Sequence, residues 1–225
     1  MPMNLFDILG PVMVGPSSSH TAGAVRIGRM ARRLLGEGTP TMAKITLSGS
    51  FAATGHGHGT DRALIAGLLG MQPDDERIPD SFAAAREKGM GYSFSRANLT
   101  GEHPNTARIE LEGKRGGRLS MIASSLGGGR ICVAEMNGLR VSFSGDLPTL
   151  IVQNRDQPGH VRDVSDILAR AGVNIATLHL YRDYPGGSAV MIIETDKEVP
   201  QDGIDYLNRI DGIHNVIFVS VKKAR

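Results

Sequence analysis

Two glycine-bordered clusters hold the residue types that chemistry needs. The first is Gly15-Pro16-Ser17-Ser18-Ser19-His20-Thr21, directly before a basic helical segment. Small hydroxyl residues at a helix start turn backbone N–H groups and hydroxyls toward one point. The helix dipole favours an anion there, so a carboxylate or phosphate would be well held. On residue types alone the run also reads as an ordinary cap, with Ser19 capping the helix and His20 in a solvated turn. The second cluster is Gly49-Ser50 through Thr54-Gly55-His56-Gly57-His58-Gly59-Thr60-Asp61, a loop between a strand and a helix. Its glycines let backbone approach a ligand closely, and its imidazoles suit proton transfer near neutral pH. His-Gly-His also offers two nitrogen ligands to a metal, but no third ligand follows at a familiar spacing. As a plain glycine-rich linker it needs no ligand at all.

Three further features carry less. His103-Pro104-Asn105-Thr106, after Glu102, reads as a turn between strands in which Asn105 could orient a polar ligand. Gly127-Gly128-Gly129 lacks the spacing and following helix of a dinucleotide site and reads as a bulge or turn. P-loop, nucleophile-elbow and zincin patterns are absent. The single cysteine, Cys132, lies in the apolar run Ile131–Val133 and reads as a small buried hydrophobe. One thiol excludes an intramolecular disulfide, and a zinc or iron–sulfur site ligated by cysteines of this chain alone.

The elements that position these residues fall into two halves, with a break near Asp146-Leu147-Pro148. In the first, residues 1–146, Thr21–Leu35 reads as a helix with Ile27, Met30, Ala31 and Leu34 on one face. Arg26, Arg29, Arg32 and Arg33 are expected elsewhere on its surface. Lys44–Ser48 reads as a strand, and Thr60 as the N-cap of a helix carrying Leu64, Ile65, Leu68 and Leu69, with Asp61 in its first turn. Alternation from Tyr92 to Ser144 predicts a mostly antiparallel sheet, making this an α+β domain. In residues 147–225, Thr149–Asn154 reads as a strand and Asp156-Gln157-Pro158-Gly159 as a turn into a helix from Gly159 to Ala171. Val161, Val164, Ile167, Leu168 and Ala171 form one stripe of that helix, and Gly172 ends it. Strands Val173–Tyr181 and Ser188–Thr195, a helix Gln201–Ile210 and a strand His214–Val221 complete a β-α-β-β-α-β order, the ferredoxin-like plan. Free N–H groups after Gly159, with Asp156 and Asn174, could grip an amino acid's carboxylate and ammonium; a capped helix and an ordinary turn explain them equally well.

Composition is that of an ordinary globular chain. Of 225 residues 40% are hydrophobic and 21% charged, with Trp absent, so the core must rest on aliphatic residues and Met. A net charge of +2 gives no electrostatic case for nucleic acid or an anionic membrane. The N-terminus lacks a secretion-signal pattern, and no apolar run reaches the roughly 18–20 residues that span a bilayer. A soluble, cytoplasmic protein is expected.

Leu5-Phe6-Asp7-Ile8, Gly15-Pro16-Ser17-Ser18-Ser19-His20-Thr21 and Gly57-His58-Gly59-Thr60-Asp61 together resemble the beta chain of the iron–sulfur-dependent L-serine dehydratases, over roughly residues 3–145. The segment from Thr149 onward resembles an ACT domain, with Asp156–Gly159 as its turn and Asn174 as its strand-opening asparagine. The resemblance implies conversion of L-serine to pyruvate and ammonia. A [4Fe–4S] cluster held by a separate alpha chain would polarise the β-hydroxyl, and a monovalent cation is a further possible cofactor. It implies His58 as the base that takes the α-proton. Ser17, Ser18, Ser19, His20 and Thr21, with Thr60 and Asp61, would line the site or bind the serine carboxylate. His56 stands where no histidine is expected. The ACT half implies homodimerisation and an effector, most simply L-serine, held by Asp156, Gly159 and Asn174. Two other readings stay open. In one, the first domain serves only as an allosteric serine-binding domain, as similar folds do in some serine-pathway dehydrogenases; in the other, the whole chain is a non-catalytic amino-acid sensor.

Overall fold

In the computed structural model, residues 12–55, 57–99 and 103–220 are described. Leu5–Ile8, His56, Glu102 and Val221 lie outside them. The chain forms two compact units, residues 1–144 and 145–225.

The first unit opens with a π-helical turn, Ser18–Gly23, that runs straight into α1, Ala24–Leu35. Then come β1 (Met42–Ser48), α2 (Gly49–Thr54), α3 (Thr60–Leu68), a 3-10 turn (Ile78–Asp80) and α4 (Ser81–Glu87). Strands β2 (Gly91–Arg96), β3 (Asn105–Glu112), β4 (Arg118–Gly127), β5 (Arg130–Met136) and β6 (Leu139–Phe143) follow. The sheet order is β2-β1-β3-β4-β5-β6. Only the β1–β2 pair is parallel, because the three helices between those strands carry the chain back to the starting edge. Alternation sets the core: Ala43, Ile45 and Leu47 of β1 pair with Leu111, Ile109 and Ala107 of β3, and all six are buried. Lys44, Glu110 and Glu112 point the other way and are exposed. Against the buried face pack Ile27, Leu64, Ile65 and Leu68 of α1 and α3, each fully enclosed.

Helices α1 and α3 pass at glycines. A Cβ on Gly28 would stand 2.3 Å from the Leu64 carbonyl oxygen, and one on Gly67 would stand 2.2 Å from that of Val25. The backbones touch, which no other residue type permits. The α1 arginines are half-buried, against the expectation of an exposed basic surface: Arg32 donates to the Leu68 carbonyl of α3 at 3.1 Å and to Thr39 Oγ1 at 2.6 Å, and Arg26 to the Gly129 carbonyl at 2.9 Å. Burial, reinforced by neighbouring Arg33 and Arg26, lowers the Arg29 guanidinium to about 10. Gly127, Gly128 and Gly129 all have positive φ and form the β4–β5 hairpin turn. Cys132 is half-buried rather than enclosed, with Sγ 3.8 Å from Ser142 Oγ.

The second unit runs β7 (Thr149–Arg155), α5 (His160–Arg170), β8 (Ile175–Arg182), β9 (Ser188–Thr195), α6 (Gln201–Leu207) and β10 (Ile213–Val219), in the sheet order β10-β7-β9-β8. This is the β-α-β-β-α-β plan. Leu150, Val152, Met191 and Ile193 of the sheet meet Val164, Leu168, Ile204 and Leu207 of the helices. Gly172, at φ +61, ends α5 as expected. Val161 falls off the stripe and is 43% exposed, because His160, four residues before Val164, takes the buried position in the first turn. Helix α6 stops at Leu207, short of Ile210, and β8 starts at Ile175, two residues after the expected Val173.

Candidate active site

His20 sits in the π-helical turn at the head of α1. Ser17, not Ser19, caps that turn: its side-chain oxygen accepts from the His20 backbone N–H at 3.2 Å. Helical structure thus begins at Ser18, ahead of the expected Thr21. The His20 ring is held from both sides. Nδ1 lies 3.4 Å from Ser17 Oγ, and Nε2 lies 3.1 Å from both Ser50 Oγ and Thr54 Oγ1. Thr54 gives its own proton to the Ser50 carbonyl at 2.9 Å. Its oxygen is therefore an acceptor toward His20, which assigns the ring proton to Nε2 and leaves Nδ1 to accept from Ser17. Phe51, fully buried, meets the ring edge-on at 5.4 Å.

Ser50, Phe51 and Thr54 belong to α2, a helix within what the sequence presents as a loop. Gly49, at φ +55, makes the turn out of β1, and the Ser50 N–H donates to the Pro104 carbonyl at 2.7 Å. Among the described residues, only Gly55 and Gly57–Gly59 remain as turn between α2 and α3. The His58 ring lies 5.0 Å from that of His20, is exposed, and makes no hydrogen bond among the described residues. Burial and then the facing His58 lower the His20 pKa, with a smaller opposing effect from its hydrogen bond to Ser50. A neutral imidazole at pH 7 follows.

The remaining expected site residues divide. Thr60 is not an N-cap: Gly59, at φ +70, leads into α3, and Thr60 is its first residue, with a buried hydroxyl that has no partner among the described residues. Asp61 lies partly exposed in the first turn of α3 and accepts from the Arg62 N–H. Thr21 is buried against Gly15 and turned away from the His20 hydrogen bonds. Ser18 and Ser19 are half-buried and their hydroxyls do not join those bonds. Ser17, His20 and His58 are thus the expected residues brought together. Ser50 and Thr54 complete the group; sequence reasoning placed them in the second cluster but gave them no role, because hydroxyls 30 and 34 residues from His20 carry no spacing signal. Among the described residues no three His, Cys, Asp or Glu side chains converge as metal ligands. The lone Cys132 does not fit a cluster either.

In the second unit, Asp156 and Asn174 do not converge within one chain. Asp156 Oδ2 accepts from the Gly186 N–H at 3.0 Å and from Arg182 at 3.1 Å, at the β8–β9 hairpin end. Those bonds, the Gly186 one foremost, hold its carboxyl below the usual range. Asn174 Nδ2 donates to Asp196 Oδ2 at 2.6 Å, at the other end of the sheet. The length of β8, about 23 Å at ~3.3 Å per residue, separates the two. Gly159, at φ +109, starts α5 beside Asp156.

Residues 4–136 match the serine dehydratase beta chain family, and residues 148–212 the ACT domain family. Over 213 residues the chain is 40% identical to the probable L-serine dehydratase beta chain of Bacillus subtilis (strain 168), covering 95% of this chain and 96% of that one. It is 38% identical to the L-serine dehydratase beta chain of Peptoniphilus asaccharolyticus, covering 87% and 88%. A D-3-phosphoglycerate dehydrogenase of Methanocaldococcus jannaschii is 32% identical over 89 residues, 40% of this chain and 17% of that one. The His20–His58 pair and the β-α-β-β-α-β unit thus stand in a chain that belongs to the L-serine dehydratase beta chain family and ends in an ACT domain.

Proposed function

We propose that this chain is the beta subunit of a two-chain dehydratase that converts L-serine to pyruvate and ammonia in the cytoplasm. One observation carries the assignment of roles: both ring nitrogens of His20 are engaged, whereas His58, 5.0 Å away, is exposed and unengaged. His58 is then the base for the α-proton, since a base must come within hydrogen-bond reach of the proton it takes. His20, kept neutral, is oriented by Ser17, Ser50 and Thr54, and of these Ser50 keeps a hydroxyl proton that can be donated to the serine carboxylate. A [4Fe–4S] cluster would have to be held by the alpha chain, because Cys132 is this chain's only cysteine, and there it would supply a Lewis acid for the β-hydroxyl.

The test is reconstitution under anaerobic conditions with an alpha chain. His58→Ala lowers kcat by about 10²-fold or more with cluster content intact. The isolated chain is colourless and inactive. Serine turnover by the isolated chain overturns the division between subunits, and an undiminished His58→Ala rate overturns the base.

The ACT half is proposed to sense an amino acid, L-serine first, as a homodimer. Asp156 and Asn174 lie at opposite ends of the sheet, and β8 is an edge strand with Leu180 45% exposed. Antiparallel pairing of two β8 edges about a two-fold axis would set Asn174 of one copy beside Asp156 and Gly159 of the other.

A further inference from the structure

We infer that the first unit holds a second amino-acid site, a cavity of about 270 Å³ at the ends of β1 and β2, which takes an α-amino acid with an aliphatic side chain and acts on His20 through Phe51. Neither His20 nor His58 lines the cavity, so it adjoins the reaction site without being part of it. The inference concerns this chain alone and holds whether or not His58 is the base.

Strands β1 and β2 are the parallel pair of the sheet, and helical crossovers leave a crevice beyond the carboxyl ends of such strands. Leu47, Phe94 and Arg96 line this one from the sheet, and Phe51, Ala52 and Asp61 line it from α2 and α3. The register Ile45↔Phe94 and Leu47↔Arg96 puts Phe94 and Arg96 on the helix-covered face, where the Phe94 ring meets Phe82 of α4 at 6.4 Å.

The chemistry of the lining points to the ligand. Arg96 is exposed, and its guanidinium makes no hydrogen bond or ion pair among the described residues. It does not pair with Asp61, although both line the same space. An arginine and an aspartate held apart over an apolar surface match the two ends of a zwitterion. The guanidinium takes a carboxylate through two parallel N–H donors, and the Asp61 carboxylate takes an ammonium. Leu47, Phe51, Ala52 and Phe94 offer no partner to a ligand hydroxyl, and Ser95 Oγ is already engaged with Thr46 Oγ1 at 2.9 Å. Burying a serine hydroxyl there is unfavourable, whereas burying methyl groups is favourable. The volume lies just under the roughly 300–1,000 Å³ of pockets for drug-sized ligands, which suits a molecule of amino-acid size.

Phe51 connects this cavity to the reaction site. Its ring meets that of His20 edge-on at 5.4 Å, and Ser50 and Thr54 of the same short helix hold His20 Nε2. A ligand packed on Phe51 and Ala52 therefore fixes α2, and with it the His20 ring.

The experiment is calorimetry and NMR of the His20 ring on the purified full chain, with L-leucine as the probe. L-leucine binds and the His20 resonances move. Arg96→Ala weakens binding about ten- to hundredfold, and Arg96→Lys restores part of it, because an ammonium keeps the charge but loses the planar fork. 4-Methylpentanoate, which is leucine without its amino group, separates the two ends: Asp61→Asn weakens L-leucine and leaves 4-methylpentanoate unchanged. Asp156→Ala, in the second unit, leaves L-leucine binding in place. No binding of L-leucine, L-isoleucine or L-valine overturns the inference, and so does an affinity indifferent to Arg96→Ala or lost in Asp156→Ala. Equal weakening of both probes by Asp61→Asn overturns the zwitterion assignment, and binding that leaves the His20 resonances unmoved overturns the coupling through Phe51.

Discussion

Replacing Gly28 with alanine sets two effects of opposite sign against each other. In an exposed helix Gly→Ala is stabilising by about 1 kcal/mol, because the unfolded chain loses freedom. At Gly28 the added methyl would meet the Leu64 carbonyl oxygen at 2.3 Å, the Leu68 nitrogen at 3.0 Å and Gly67 Cα at 3.1 Å. All three are backbone atoms, so no side chain can swing away. Relief to ordinary contact requires α1 and α3 to part by about 1 Å, and overpacking of this kind costs roughly 1–3 kcal/mol, here at or above the upper end. The clash wins by about 2 kcal/mol, which for a chain of this size lowers Tm by roughly 4–8 °C. The helices also carry the site: His20 lies just ahead of α1 and His58 just ahead of α3. Parting them moves the two imidazoles, and a displacement of about 1 Å can reduce turnover by ~10²-fold. Thermal unfolding of the purified chain and turnover by the two-chain enzyme are the assays. Gly67→Ala should behave alike, and the double variant should be less destabilised than the sum, since one separation relieves both clashes. A raised Tm for Gly28→Ala, or strict additivity, would refute the backbone contact.

Three further outcomes are expected. The His20 ring, followed by NMR in the isolated chain, titrates below the ordinary value near 6.5; His58→Gln moves it upward but only in part, because burial is the larger cause and remains. In stability terms the depressed value contributes nothing above pH ~6.5 and weakens the fold as pH falls through that value, since the unfolded chain takes the proton first; a midpoint above 6.5 contradicts the packing around the ring. Thr60→Val removes a buried hydroxyl without a partner among the described residues and leaves stability equal or up to about 1 kcal/mol better; a large fall in serine affinity with Tm unchanged would instead restore Thr60 to the substrate site. Sedimentation of the full chain shows a dimer, and L-serine raises its Tm by mass action; Asp156→Ala abolishes that rise, and a monomer indifferent to every amino acid removes the sensing role.

The second unit was the more legible half because its signals are local. Val164 and Leu168 repeat with the helix period, Ser188–Thr195 matches its strand at both ends, and Gly172 marks a helix end that only a positive φ allows. The first unit resisted where neighbours in sequence are interchangeable. Any of Ser17, Ser18 and Ser19 can cap a helix, and the choice of Ser17 depends on Ser50 and Thr54, far along the chain. Helix α2 is six residues long and begins at a glycine, too short to show a period. Asn105 reads as a common turn residue, and the burial of its side-chain oxygen exists only once β3 is paired with β1. Histidines were visible as chemistry; the partners that make His20 an orienting residue were not.

The π-helical turn at Ser18–Gly23 holds one residue more per hydrogen-bonded ring than α1, and so separates two rotational phases of one continuous helix. Downstream, Ile27, Met30 and Leu34 must face the sheet; upstream, His20 must face Ser50. In an unbroken α-helix each residue advances about 100°, so a single phase would have to satisfy both. The extra residue acts as a phase shifter between core and site. Single-residue deletion between His20 and Ala24 would therefore swing His20 away from Ser50 while α1 keeps its own phase on the sheet, a change no substitution in that stretch produces.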